Sequence, residues 1–224
     1  MNRERWATIG KIALGVWMAA VIVAAFLVPK PADQGEGGRI FIFHIPVAWV
    51  TVLAFLTSSI YGIRYLRKKQ RVDDQRAVNA AGLGVVFCLL ATISGAIFAR
   101  IAWGAFWNWD PRETTIFFLL LFYAAYFGLR AAVADEERRA TFSAAYNILA
   151  LVVVPFLVFI APRLAVTLHP DTIINVRGGG GMSPLFLTIF LASLAGFTGL
   201  FVWMYSLANR ASRIQEQLLE ESDA

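Results

Sequence analysis

Charged residues are scarce in this chain. Asp, Glu, Lys and Arg make up 16% of its 224 residues, against about 25% in an ordinary soluble domain. With 58% of the residues hydrophobic, an ordinary soluble domain is excluded and an integral membrane protein is indicated. Cysteine is reduced to Cys88, which lies in an apolar run. One cysteine makes no internal disulfide, no CxxC thiol-exchange pair and no cysteine zinc site, so Cys88 reads as a small buried apolar side chain. No nucleophile stands beside a base in a recognisable pattern, which argues against a conventional enzyme. The four glycines at 178–181 lack the strand and helix context of a phosphate loop and read as a flexible loop.

The formal net charge is +5. A basic chain can bind nucleic acid, but here most basic residues lie beside apolar runs, as membrane insertion requires. The run at 64–76, RYLRKKQRVDDQR, is therefore read as an orientation signal next to membrane lipid, with no nucleic acid partner. The acidic tail EQLLEESDA reads as a solvated end. The N-terminus resembles a signal peptide. Its apolar run from Ile12 to Val28 is too long for one and lacks a clear cleavage site, so a retained first helix is expected.

Six segments are long and apolar enough to cross a hydrocarbon layer of about 30 Å. They lie at about 7–28, 40–63, 78–99, 116–134, 142–162 and 184–207. Each is expected to be helical, because a backbone in lipid must satisfy its own hydrogen bonds. The fold class is thus an all-α integral membrane protein, a single six-helix domain over 1–224 with a loop at 100–115. No internal repeat is evident. Fourteen of the twenty Lys and Arg residues fall before or within the start of the first span, in the second–third and fourth–fifth connections, or in the C-terminal tail. Six fall on the other side: Lys30, Arg39, Arg100, Arg112, Arg163 and Arg177. This bias predicts both termini in the cytoplasm and the loop at 100–115 facing outward.

That orientation gathers three features on the outer face: WGAFWNWDPRETT at 103–115, His44 in FHIPVAW, and His169 in TLHPD. His44 and His169 are the chain's two histidines, 125 residues apart. Pro46 favours a helix start near His44, and Pro170 disfavours helix at His169. Both histidines are expected at helix ends or in re-entrant structure, not mid-helix. A lone histidine at a membrane interface is commonly just an amphipathic residue in a wet zone. Tryptophan also favours that boundary, and Trp6 and Trp17 fit that use. Three tryptophans within seven residues exceed what an anchor needs. A helix through 103–110 would align Trp103, Trp107 and Asp110 at i, i+4 and i+7, and Pro111 would then disturb the turn. The expectation is an outward-facing aromatic shelf with a charged edge, lying in the interface.

A broad apolar face suits a planar aromatic molecule. Two neutral imidazoles suit a metal, and Arg100, Arg112 and Arg163 can meet carboxylates. Together these describe haem with axial histidines. A bare zinc or copper ion accounts for the histidines alone, and a quinone for the shelf alone.

Trp103, Gly104, Trp107, Trp109, Asp110, Arg112 and Thr114 match the WGxxWxWDxRxT signature of the WWD family of haem-handling membrane proteins. His44, Pro46, Ala48 and Trp49 match its HxPxAW stretch, and the TLHP around His169 also fits. The chain resembles this family over nearly its whole length. In size and helix number it is similar to the cytochrome c maturation protein C branch. Pro111, between Asp110 and Arg112, departs from that branch at a variable position. The resemblance implies b-type haem at the periplasmic face of the bacterial inner membrane, with His44 and His169 as axial ligands. It implies a platform of Trp103, Gly104, Trp107, Trp109, Asp110, Arg112 and Thr114. It also implies delivery to a periplasmic haem chaperone, maturation protein E, which captures haem through its own histidine. The implied companions are the ABC-type maturation proteins A and B and the small maturation protein D.

Three other functions bear comparison. A b-type electron-transfer protein commonly repeats His pairs on facing helices, and this chain has no second pair. A cytochrome c synthase-type relative carries more helices. A transporter permease for a polar substrate usually places ionisable groups deep in its spans, and none is evident here.

Overall fold

The computed structural model describes residues 2–29, 35–169 and 183–222. Lys30, Pro170, Arg177 and the four glycines at 178–181 lie outside them. Helix α1 spans Asn2–Leu27, α2 Phe41–Lys68, α3 Arg71–Trp103, α4 Pro111–Ala132, α5 Glu136–Pro155 and α6 Pro184–Ser222. A 3-10 turn, Gly35–Ile40, leads into α2. A π turn, Phe156–Ile160, and a 3-10 turn, Ala161–Arg163, continue α5. No strand occurs among the described residues. All six helical spans are long and apolar enough to cross a membrane.

The observed helices outrun the apolar segments. Apolarity marks only the part that lipid surrounds, whereas a helix runs on until something caps it. The helix α5 begins six residues before the expected 142, where Asp135 accepts the Arg138 amide at 2.8 Å. The left-handed Lys69 ends α2 by donating its amide to the Tyr65 carbonyl. Most of the basic run at 64–76 is therefore helical. Its two aspartates are tied down: Asp73 is buried beside Arg64 and Arg76, and Asp74 takes a bidentate grip from Arg130. Helix α6 continues to Ser222 over 39 residues, and its last turns are exposed, as in a solvated end. At 1.5 Å per residue that is about 58 Å, nearly twice the hydrocarbon thickness.

The centre of the bundle is α2, packed against α3, α5 and α6. One apolar cluster joins Val52 and Phe55 of α2 to Cys88 of α3, Leu119 and Tyr123 of α4, and Val154 of α5. Phe55 stacks on Tyr123 with ring centres 3.5 Å apart. This needs Gly84, since a Cβ there would stand 2.3 Å from the Phe55 ring. Burial of Cys88 agrees with its apolar reading. Helix α1 packs chiefly on α6, where Gly196 leaves room for Trp17 and Met18. Its remaining apolar faces are exposed, as suits a helix bathed in lipid.

Two prolines shape the end of the bundle that carries the site. Pro46 sits inside α2 and supplies no amide to the Ile42 carbonyl four residues back. Ser193 of α6 fills that place, its hydroxyl donating to Ile42 O at 2.5 Å. At Pro155 the same deficit coincides with the passage of α5 into the π turn.

Candidate functional site

The segment 103–110 is not a helix, which corrects the expected shelf. Helix α3 stops at Trp103 because Gly104 turns left-handed, with φ of 85°. Residues 104–110 then run as a non-helical loop. Trp109 also has positive φ, 55°, a costly conformation for a bulky residue. That twist leaves the Trp109 ring 71% exposed and turns Asp110 into the N-cap of α4. Pro111 does not disturb a helix; it begins one, at the position where its missing amide and fixed φ cost nothing. Asp110 Oδ1 accepts the Arg112 amide at 2.9 Å. Glu113 Oε2 accepts the amides of Asp110 and Asn108 at 3.2 and 2.7 Å, completing a capping box. The Thr114 hydroxyl donates to the Trp109 carbonyl. Glu113 was not among the expected site residues, although Asp-x-x-Glu with proline second is a legible helix start.

Asp110 does more than cap. Its side chain is fully buried and collects donors from the segment after α5. Thr167 Oγ1 and the Leu168 amide donate to Oδ2 at 2.8 and 2.7 Å, and His169 Nδ1 donates to Oδ1 at 2.7 Å. The Thr167 hydroxyl in turn accepts the His169 amide at 3.1 Å. Burial alone would raise the Asp110 carboxyl, but the Arg112 and Leu168 amides, the Thr167 hydroxyl and His169 hold it below its ordinary 3.8. Burial is the largest influence on His169 and holds it below its ordinary 6.5; Arg112 acts the same way and Asp110 opposes both. At neutral pH Asp110 is thus an acceptor only. His169 is neutral; the carboxylate beside it assigns its proton to Nδ1, and among the described residues Nε2 has no hydrogen-bond partner.

His44 reaches the same electronic state by a different route. It lies in the first turn of α2, after the 3-10 turn, with Nδ1 3.0 Å from Ser94 Oγ. The Ser94 hydroxyl proton is directed to the Leu90 and Ala91 carbonyls, at 2.8 and 3.1 Å. Ser94 Oγ therefore accepts from His44 Nδ1–H, which again leaves Nε2 free. The ring lies against Gly95, where a Cβ would come within 3.0 Å of Cε1. His44 and His169 lie within electrostatic range of each other and of Arg112.

The tryptophans divide. Trp103 packs edge-on against His169, with centres 4.8 Å apart, and continues through Phe98 to Phe41 in the first turn of α2. Trp107 and Trp109 form a separate T-shaped pair at 5.8 Å, backed by Phe117. Gly104 serves the helix end. The arginines differ as well. Arg100 donates to the Gly104 carbonyl and Arg163 to the Phe159 carbonyl, whereas Arg112 Nε is buried with no partner among the described residues. Ser94, Gly95, Thr167 and Glu113 are the supporting residues that sequence reasoning missed. Only the Asp110–Glu113 pair had a local signal.

A model of the family described as heme exporter protein C matches residues 1–222. The chain belongs to the heme exporter protein C family. The family's protein from Bradyrhizobium diazoefficiens is 30% identical over 204 residues, 91% of this chain and 75% of that protein. The one from Paracoccus denitrificans is 30% identical over 210 residues, 92% of this chain and 84% of that protein. A shorter likeness, 42% over 80 residues, links 36% of this chain to 26% of the cytochrome c biogenesis protein CcsA of Prochlorococcus marinus.

Proposed function

We propose that this family member binds haem at the periplasmic face of the inner membrane and delivers it to a periplasmic haem chaperone during cytochrome c maturation. One observation carries the reading. Two imidazoles from distant parts of the chain lie at one end of the bundle, each with Nδ1 against an oxygen acceptor and with no partner for Nε2 among the described residues. That is the state in which a histidine ligates a metal. Among the described residues, no group of three or more His, Cys, Asp or Glu side chains is arranged for a metal ion. A bare zinc ion wants three or four protein ligands. Two suffice for a metal that brings its own equatorial ring, so the donor set fits haem.

Haem supplies an iron with two open axial positions and a flat apolar ring edged by carboxylates. His44 and His169 are the axial pair. Trp109 and Phe106, exposed on the loop, offer apolar faces to the ring. Arg112, whose Nε has no hydrogen-bond partner among the described residues, is the cation for a carboxylate, with Arg163 close enough to act on it. The role is holding and handing over, not catalysis. The proposed companions are the chaperone, maturation protein E, and the maturation proteins A, B and D of an ABC-type complex. Both termini are placed in the cytoplasm.

The test is the haem spectrum of the purified chain. His44→Ala and His169→Ala should each alter it, and the double variant should lose most bound haem. A single variant that keeps the wild-type low-spin spectrum removes that histidine from the site.

A further inference from the structure

The two imidazoles are held by the same atom but by unlike acceptors. Nδ1 of His169 donates to a buried carboxylate at 2.7 Å, and Nδ1 of His44 donates to a hydroxyl at 3.0 Å. A hydrogen bond to an ionised acceptor is roughly twice as strong as a neutral one. It also draws the Nδ1 proton outward and raises the basicity of Nε2. The supports differ mechanically too. Asp110 is fixed by the Arg112 and Leu168 amides and the Thr167 hydroxyl. His169 carries the Trp103 ring on its side. Turning His169 away breaks an array that joins the segment after α5 to the start of α4. His44 is held by the Ser94 hydroxyl, with the Ala91 carbonyl also within hydrogen-bonding reach of its ring, and it lies against Gly95. Moving its ring breaks contacts to α3 and leaves the array around Asp110 intact.

We propose that Asp110 is a positioning residue that makes His169 the anchoring ligand, and that His44 is the ligand that yields to an incoming imidazole when haem leaves the site. The inference rests on the haem reading above and says which side chain lets go.

The experiment uses the full chain in nanodiscs, loaded with haem, with free imidazole as the incoming ligand. Asp110→Asn keeps an oxygen for the cap and for Nδ1–H, removes the charge, and replaces the oxygen that accepts from the Leu168 amide and the Thr167 hydroxyl. It should raise the midpoint potential of the bound haem and weaken haem affinity about tenfold or more, the usual cost of losing such a supporting carboxylate. Ser94→Ala should do less of both. In His44→Ala, imidazole should restore a six-coordinate spectrum whose potential still responds to Asp110→Asn. In His169→Ala with imidazole, that response should vanish. Wild type titrated with imidazole should exchange one ligand first and keep its sensitivity to Asp110→Asn. If Asp110→Asn does not accumulate, the ferric electron paramagnetic resonance of the wild type carries the same information. One imidazolate-like ligand narrows the g spread relative to two plain imidazoles.

Several results overturn the proposal: a wild-type potential in Asp110→Asn, an equal shift in the His169→Ala background, a plain bis-imidazole g spread, or loss of Asp110 sensitivity on the first imidazole exchange. A wild type that takes up no haem overturns the haem reading as well. One that binds haem and gives any of those results overturns the inequality of the ligands alone.

Discussion

The hydroxyl of Ser193 donates to the backbone carbonyl of Ile42, the acceptor that Pro46 leaves without its helical donor. The two residues are 151 positions apart. Through this bond α6 supports the turn of α2 that carries His44. An unpaired carbonyl in an apolar interior is costly. Ser193→Ala should therefore lower stability by about 1 kcal/mol, the usual size of a side-chain hydrogen bond between membrane helices. Thermal unfolding in detergent measures this. Haem retention should fall with it, because the His44 turn loses its brace. Unchanged unfolding would mean that water satisfies Ile42.

Gly95 faces His44 with no room to spare, whereas Gly82 has nothing near it. A methyl group at 95 meets the imidazole edge at 3.0 Å, so the ring must shift by a few tenths of an ångström or rotate away from Ser94. Gly95→Ala should disturb the haem spectrum while the protein still accumulates and inserts. Gly82→Ala should leave the spectrum alone. Equal spectra from the two variants would show that the His44 ring position does not matter to the bound group.

The six spans were legible because apolarity over some twenty residues has few other causes. The geometry of the candidate site was not legible. Trp103, Trp107 and Asp110 fall at helical spacing, yet Gly104 and the strained Trp109 break the chain between them. The stretch Asp110, Pro111, Arg112, Glu113 is a helix start by local rules, and it outweighs the aromatic periodicity. No local rule announces that Asp110 grips His169, 59 residues away, or that Ser94 accepts from His44. Those contacts depend on which helix ends meet, and packing decides that.

The orientation rests on charge bias and is open to a direct check. Reporter fusions after Gly37, Val72 and Gly179 should read outside, inside and outside. Val72 lies in the first turn of α3, at the end of the bundle away from His44. An inside reading at Gly37 would put the histidine end in the cytoplasm and remove the periplasmic half of the proposed function.

The three tryptophans of the loop should separate by experiment, because the structure gives them different neighbours. Trp103 touches His169 and Phe98, and each such aromatic contact is worth about 1 kcal/mol. Trp103→Ala should lower the unfolding temperature and loosen His169, with a changed spectrum in whatever haem remains. Trp109 is 71% exposed and, among the described residues, pairs edge-on with Trp107, so its ring contributes little to the fold. Trp109→Ala should leave the unfolding temperature within error. If the exposed ring serves the haem plane, the same variant should lose haem faster and load the chaperone less. Trp107, between Trp109 and Phe117, should show some of each effect. Normal haem retention and normal loading in Trp109→Ala would make its ring a membrane-boundary anchor and leave the axial histidines as the whole of the recognition.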